Sequence, residues 1–348
     1  MSKFKPFLIA LAALCMPLYA SAHEVYVLKP DVIADALTKP SLAFFDVIRA
    51  NLGHFFFWTF ISVWAFFTIL SISLSKNVER AIDPLLQRLK RYAPLVARAT
   101  LGIAIIASAY ENALFGPELP LFTGTAGDGV AMLRFVLMAL GALITVGLFT
   151  RVASLLLITV FSVLTVQHGW YMLTYANYLG EMIMVLVVGN AAFALDSLYH
   201  DLYPHHIHRA VKWLETHAFL ILRVSFGVSL IYASVFAKLI HAELALQVVH
   251  IYHLTNFFPF EPHFIVLGAF CIELLLGIFF IFGIEVRFAS LFLLFWLTLS
   301  LLYFKESVWP HIVLAGVGLA IFMHGYDRYT IQWGLLRMRN SRAHEPTL

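Results

Sequence analysis

Long apolar runs follow one another along almost the whole chain, and they limit the possible folds more than any other feature. A helix needs about 20 apolar residues to cross the hydrocarbon core of a bilayer, and only helices and closed barrels satisfy their backbone polar groups there. About nine runs approach this length, at residues 54–75, 94–115, 130–149, 152–168, 175–195, 218–240, 263–284, 288–304 and 309–325. The sequence therefore predicts an all-α, polytopic membrane protein with about nine transmembrane helices.

The composition agrees with a membrane location and excludes other classes of protein. Hydrophobic residues make up 61% of the chain and charged residues 12%, which lies outside the range of soluble domains. The 23 Lys and Arg residues are scattered between the apolar runs, so nucleic acid is not expected as a partner. Cys15 and Cys271 form no CxxC motif, so any redox role would need a borrowed cofactor.

The first 22 residues have the pattern of a secretory signal. Lys3 and Lys5 precede an apolar run at 7–18, and the small residues Ala20-Ser-Ala22 follow it, as at a signal cleavage site. An uncleaved first helix is the alternative, although the run is shorter than a membrane span requires. With cleavage, the mature chain begins at His23 on the outer side of the membrane.

The basic residues predict the orientation of the chain in the membrane, because Lys and Arg accumulate in cytoplasmic loops. They lie in alternate loops between the apolar runs and in the C-terminal tail, at Lys76, Arg80, Arg88, Lys90, Arg91, Arg98, Arg151, Arg209, Lys212, Arg287, Arg328, Arg337, Arg339 and Arg342. The loop at 116–129, which is expected on the other side of the membrane, contains no Lys or Arg. We expect a bacterial inner (plasma) membrane protein with a periplasmic N-terminus and a cytoplasmic C-terminus.

The chain repeats itself. The stretch GLFTRVASLLL at 147–157 has a close copy, GIEVRFASLFL, at 283–293. Further pairs match at similar offsets: Arg98 with Arg223, Gly102 with Gly227, GPEL at 116–119 with HAEL at 241–244, and Asp196 with Asp327. A four-helix unit returns the chain to the side on which it began, so two copies would be parallel and related by a twofold axis along the membrane normal.

The repeat and the positions of the loops predict how the chain is divided into segments. A signal peptide at 1–22 is followed by a short periplasmic segment, a leading helix and a basic cytoplasmic loop at 23–93. A first four-helix unit at 94–200, a cytoplasmic linker at 201–217, a second unit at 218–328 and a cytoplasmic tail at 329–348 complete the chain. The basic stretch at 76–94 is amphipathic and is expected to lie along anionic headgroups or to face a partner subunit.

These segments also resemble the DoxX superfamily of small four-helix membrane proteins. The resemblance is carried by GLFTRVASLLL, by CIELLLGIFFIFGIEVRFASLFLL at 271–294, by FAKLI at 236–240 and by FALDSL at 193–198. It covers both units but not the leading segment, and most family members have a single unit. Relatives include DoxD-type subunits of thiosulfate:quinone oxidoreductase, so the resemblance implies a quinone-linked or respiration-linked membrane subunit.

The two units depart from the family pattern to different degrees. The membrane Glu of the family matches Glu273, where the first copy has Leu137, and its Lys matches Lys238, where the first copy has Ala113. The resemblance therefore implies that a family site lies in the second unit.

Ionisable residues at membrane depth are costly and usually face a protein interior or a polar cavity. The candidates are Lys238, Glu273 and His311 in the second unit and Glu111, Arg134 and Glu181 in the first. We expect Glu273 to pair with Lys238, and Arg134 to pair with Glu111 or Glu181, because pairing keeps both partners charged. Such pairs either fix the register of neighbouring helices or bracket a quinone headgroup or a small anion. The aromatic residues Tyr232, Phe236, Trp296 and Trp309 would suit a ring ligand, although aromatics at such depths also form interface belts.

Two further sets of residues have simpler interpretations. Arg151 and Arg287 are expected to be topology anchors whose side chains snorkel to the headgroups. His23, as a new N-terminus, is a candidate copper ligand with His250 and His253, which have i, i+3 spacing.

The sequence favours a membrane subunit of a redox or respiratory, quinone-linked assembly, whose partners are the lipid bilayer and other membrane or periplasmic redox subunits. If it takes part in catalysis, it does so as an accessory subunit of a quinone-linked oxidoreductase. Two alternatives remain open: a small-solute carrier or permease, and a noncatalytic assembly or scaffold subunit.

Overall fold

The computed structural model describes residues 27–28, 30–121, 128–188, 194–196, 214–305 and 307–331. Within these ranges the protein is all-α, and no β-strand is found there. Its helices are α1 (Pro30–Ala36), α2 (Phe44–Asn51), α3 (Phe55–Lys90), α4 (Ala93–Tyr110), α5 (Asp128–Val146), α6 (Thr150–His168), α7 (Ala176–Val188), α8 (Ala218–Val235), α9 (Ala242–Ile251), α10 (Pro262–Phe282), α11 (Val286–Phe304) and α12 (His311–His324). The predicted signal peptide, His23 and most of the predicted linker and tail lie outside the described residues.

Six helical segments in the described ranges are long and apolar enough to cross a membrane, and a seventh is formed if α2 and the first part of α3, which meet at a bend of 106°, are one broken span. The protein is thus a multi-pass membrane protein by length and composition. The expected number of nine stays a prediction. One predicted span, at 309–325, corresponds to α12. The 14 residues of α12 fall short of the length that crosses the hydrocarbon core.

The number of spans also depends on the apolar segment Thr150–Val188, which has 39 residues. A straight helix of that length would be about 58 Å long, nearly twice the thickness of the hydrocarbon core. The chain instead turns through a 3₁₀ helix at Gly169–Tyr175, and α6 packs against α7. These residues therefore form a helical hairpin, as the separate runs at 152–168 and 175–195 predicted.

The leading helix is longer than the sequence indicated. α3 contains 36 residues and includes Pro84, so the stretch from 76 to 90 continues the same helix and is not a separate amphipathic segment. The basic residues of its last turn, Arg88 and Lys90, lie at the C-terminal end of the helix, where positive charge is favourable.

The helices pair in the same way in two sets. α4 packs on α5 as α8 packs on α10, and α6 packs on α7 as α11 packs on α12. Between the sets, α7 packs on α8 and α12 packs on α4. These contacts in one set thus have counterparts in the other, which is the pattern expected for a parallel repeat. The largest hydrophobic cluster among the described residues, which contains Leu101, Leu157, Phe226 and Val317, extends through both sets.

Matched glycines explain the closest helix crossings. A Cβ atom added to Gly102 would lie 2.5 Å from the carbonyl oxygen of Gly141, and one added to Gly227 would lie 2.6 Å from that of Gly277. The α4–α5 and α8–α10 crossings therefore bring backbone against backbone, as small residues allow in membrane helices.

The repeated stretch forms the turn that ends α5 and, in its second copy, α10. Gly147 and Gly283 have positive φ values of 80° and 69°, a conformation that is costly for residues with a Cβ atom. A guanidinium packs over each turn: a Cβ on Gly147 would lie 2.8 Å from Nη1 of Arg98, and Arg223 occupies the same place over Gly283. Arg223 Nη1 also donates to the carbonyl oxygen of Phe280 (2.7 Å) near the end of α10.

Candidate functional site

Lys238 and Glu273 form an ion pair between two apolar helices. Lys238 lies in a π-helical turn, Phe236–Ile240, that follows α8, and Glu273 lies in the middle of α10. The Lys238 Nζ and Glu273 Oε2 atoms are 2.9 Å apart. The expected pairing of these two residues is confirmed.

The π turn places Phe236, two residues before Lys238, in contact with three other rings. Phe236 stacks on Tyr232, with ring centroids 6.3 Å apart, and also contacts Tyr171 and His241 at 5.1 and 4.6 Å. π-helical turns are rare and occur frequently at functional sites. Ser234 Oγ donates to the carbonyl oxygen of Phe270 (3.3 Å), which fixes α8 against α10 one turn before Lys238.

The ion pair is largely but not completely buried. The side chains of Lys238 and Glu273 retain 10% and 23% of their accessible surface. Removing two charges from water costs several kcal/mol per ion, and the short contact offsets part of that cost. The arrangement presents an ammonium donor and a carboxylate acceptor side by side, which is the chemistry needed to hold a polar headgroup with both acceptor and donor atoms.

An open pocket with a volume of about 420 Å³ lies elsewhere, among α2, α9 and the start of α10. Asp46, Glu243 and Glu261 line it, but Lys238 and Glu273 do not. The ion pair is therefore separate from this pocket.

Two of the remaining candidates, His311 and Arg134, have other contacts. His311 is buried, and its Nδ1 atom lies 3.2 Å from the carbonyl oxygen of Ser307. Glu111 and Arg134 are exposed, and Arg134 Nη1 donates to Asn112 Oδ1 at 3.4 Å. The expected pairing of Arg134 with Glu111 or Glu181 is not found in the described part of the chain. Trp296 stacks on Phe292, and the structure shows no ring contact between Trp309 and the Lys238 turn in the same ranges.

Glu181 lies at the junction of the two helix sets. It is fully buried in α7, and Thr100 of α4 donates to its Oε1 atom (3.2 Å). α12 presses against the same threonine, because a Cβ on Gly316 would overlap the Thr100 side chain. The second carboxyl oxygen, Oε2, is buried without a hydrogen-bond partner.

The structure reveals a second polar cluster, which the sequence reasoning missed. Glu118, in the loop after α4, accepts hydrogen bonds on Oε1 from the hydroxyls of Tyr171 (2.8 Å) and Tyr175. Gly116 makes this approach possible, since a Cβ there would overlap the Tyr175 hydroxyl and lie 2.8 Å from Glu118 Oε2. In the sequence, Glu118 serves only to align GPEL with HAEL. The available signal was the i, i+4 spacing of Tyr171 and Tyr175, which lie between the apolar runs 152–168 and 175–195 and at the start of the second.

Burial of the carboxyl raises the pKa of Glu118 to about 7, although the hydrogen bonds from Tyr175 and Tyr171 and from its own backbone act to lower it. The residue keeps part of its surface accessible, but its Oε2 atom is buried without a hydrogen-bond partner. A carboxyl in this setting exchanges a proton near neutral pH.

Arg151 and Arg287 do not snorkel. They retain only 6% and 8% of their accessible surface, and the Arg287 guanidinium lies 5.4 Å from the centre of the Tyr326 ring. A Cβ on Gly325 would lie 2.5 Å from Nη2 of Arg287. The arginine thus packs over the turn that ends α12, and the expectation of a headgroup contact is wrong because the bundle encloses the side chain.

The copper hypothesis stays a prediction. His250 and His253 are exposed, and His23 lies outside the described residues. Within the part of the chain that the structure describes, no three His, Cys, Asp or Glu residues are grouped as a metal ion would require.

No family model, curated protein or solved structure matches the chain.

Proposed function

We propose that the protein is a DoxX-type subunit of a quinone-linked redox or respiratory assembly in a bacterial inner membrane, and that Lys238 and Glu273 bind the quinone headgroup. The observation that carries the proposal is the 2.9 Å ion pair between two apolar helices, both of whose side chains keep part of their surface accessible.

The two side chains complement a quinone chemically. The Lys238 ammonium donates to a quinone carbonyl oxygen, and the Glu273 carboxylate accepts from the hydroxyl of the reduced form. Phe236 lies in the same π turn as Lys238 and stacks on Tyr232 of α8, so these two rings provide an aromatic contact for the ligand ring. The electrons come from a partner subunit, since the chain has no motif for an electron carrier.

The proposal predicts that quinone binding depends on both charges. Lys238→Met and Glu273→Gln should each weaken the binding of a short-chain benzoquinone about tenfold or more, because each variant removes a charge-assisted hydrogen bond. Binding is measured from ultraviolet difference spectra of the oxidised and reduced ligand with purified protein in nanodiscs. Glu111→Gln, which changes an exposed carboxylate of the same type, should bind as the unmodified protein does.

A double variant separates ligand binding from helix packing. An isolated partner of a broken ion pair destabilises a buried site, whereas replacing both partners with apolar residues often leaves stability unchanged. Lys238→Met combined with Glu273→Leu should therefore unfold at about the same temperature as the unmodified protein but should not bind the quinone. Unchanged quinone affinity in the double variant contradicts the proposal and leaves the pair a helix-packing contact.

A small-solute carrier is the second candidate function. The matching helix contacts within and between the two sets are also the arrangement of parallel-repeat transporters. Uptake of a solute into proteoliposomes that is abolished by the double variant, without quinone binding, would support this function. Co-purification with a partner in the absence of either activity would support a scaffold.

A further inference from the structure

The first helix set contains its own polar site, which the quinone proposal does not use. Glu118 stands at its outer edge, held by Tyr171 and Tyr175 from the 3₁₀ helix. Tyr178 and Glu181 follow on α7, both with less than 3% of their surface accessible. Together these residues form a polar line from the loop after α4 to the contact between the two sets.

Three atoms of this line are buried without a hydrogen-bond partner: Glu118 Oε2, the Tyr178 hydroxyl and Glu181 Oε2. An unsatisfied buried polar group costs about 1–3 kcal/mol, so three in one place indicate that something else satisfies them. The Tyr178 hydroxyl lies within electrostatic reach of both carboxyl groups. The site thus contains two carboxyl oxygens that can hold a proton and a hydroxyl between the two residues.

We infer that Glu118 and its tyrosines form a proton-binding site, in which the proton occupies the Oε2 atom of Glu118. Oε1 already accepts two tyrosine hydrogen bonds, so Oε2 is the oxygen left to be protonated. The step is a simple uptake: a proton from water joins the carboxylate, and the resulting neutral acid carries a hydroxyl donor on Oε2. Glu181 extends the same site inward.

Among the residues that the structure describes, no Lys, Arg or His acts on the charge of Glu118. The titratable groups that act on it are Tyr175 and Tyr171 from the 3₁₀ helix and Tyr178 from α7. α6 contributes Phe161, which packs on Phe115 beside the loop. Burial raises the pKa of Glu118 to about 7, so the proton exchanges in the physiological range.

Infrared spectroscopy tests the site directly in the purified full-length protein. The carbonyl stretch of the protonated carboxyl should appear on acidification with a midpoint near pH 7, and it should be absent from Glu118→Gln. Glu243→Gln is the matched control, because Glu243 is the repeat counterpart of Glu118 and is bonded instead to Gln247 (2.5 Å). The control should keep the signal and its midpoint.

Two tyrosine variants identify the carboxyl even if Glu118→Gln fails to fold. Tyr171→Phe and Tyr175→Phe each remove a donor that stabilises the charged carboxylate, so each should raise the midpoint by about one pH unit. A signal that survives Glu118→Gln, a midpoint near the ordinary value of 4.5, or a midpoint unmoved by both tyrosine variants overturns the proton site. None of these outcomes depends on quinone binding at Lys238 and Glu273.

Discussion

Asp196→Ala should lower the free energy of unfolding by about 3–5 kcal/mol, the loss expected when one partner of a buried charged network is removed. The Asp196 carboxylate accepts from the backbone N–H groups of Phe149 (2.7 Å) and Thr150 (2.9 Å) and from the Thr150 hydroxyl (2.7 Å). It therefore caps the N-terminus of α6 from a distance, where a negative charge is favourable. The same carboxylate acts electrostatically on the buried Arg98.

The repeat supplies the control for this prediction. Asp327 is the counterpart of Asp196, but it is only half-buried and accepts from the backbone N–H of Tyr329 (2.9 Å) instead of capping a transmembrane helix. Asp327→Ala should therefore cost less than Asp196→Ala, and Asp196→Asn should fall between them because it keeps an acceptor without the charge. Unfolding in mixed detergent micelles measures all three. Equal losses for Asp196→Ala and Asp327→Ala would contradict the capping role.

Gly102→Val should cost about 3 kcal/mol or more, because it forces a side chain into a backbone contact that has no room to expand. Even a Cβ atom at this position would lie 2.5 Å from the carbonyl oxygen of Gly141 and 2.7 Å from the backbone nitrogen of Thr145. The helices α4 and α5 would have to separate along their contact. Gly227→Val should have a similar effect at the matching crossing in the second set.

Gly318→Ala is the control for the glycine crossings. A Cβ at Gly318 would find its nearest neighbours, side-chain atoms of Leu294, at 3.7 Å, an ordinary packing distance. This variant should leave the unfolding temperature unchanged or raise it, since Ala favours a helix over Gly by up to about 1 kcal/mol. A Gly102→Val protein as stable as Gly318→Ala would show that α4 and α5 do not depend on the close crossing.

The residues matched between the two similar stretches of sequence have similar contacts in the structure. Arg98 with Arg223 and Gly102 with Gly227 were matched by offset alone, and the structure gives each pair equivalent contacts. This succeeded because a duplicated helix contact needs the same small or charged residue in both copies. The pairing of Lys238 with Glu273 was predictable for a related reason, since opposite charges at membrane depth compensate each other.

The wrong or missing predictions concern the directions of side chains around the helices and the contacts made by loops, which hydropathy does not encode. Arg134 was matched to a carboxylate by depth, but it faces outward from α5 while Glu181 faces the interior. Arg151 and Arg287 were assigned to the headgroups by their position at helix ends, yet neighbouring elements enclose them. Glu118 was passed over because its partners lie in a 3₁₀ helix more than 50 positions further along the chain.

The sequence by itself determined that this is a multi-pass membrane protein, that it contains a repeat, and that Lys238 and Glu273 belong together, because length, hydropathy and charge compensation act along the chain or between obvious partners. Only the tertiary structure decided where each buried charge is satisfied. Asp196 reaches the start of α6, and Tyr171 and Tyr175 reach Glu118, through folds of the chain that bring distant residues within hydrogen-bonding distance. In an apolar bundle these few contacts decide which carboxyl groups are held by donors and which one can exchange a proton.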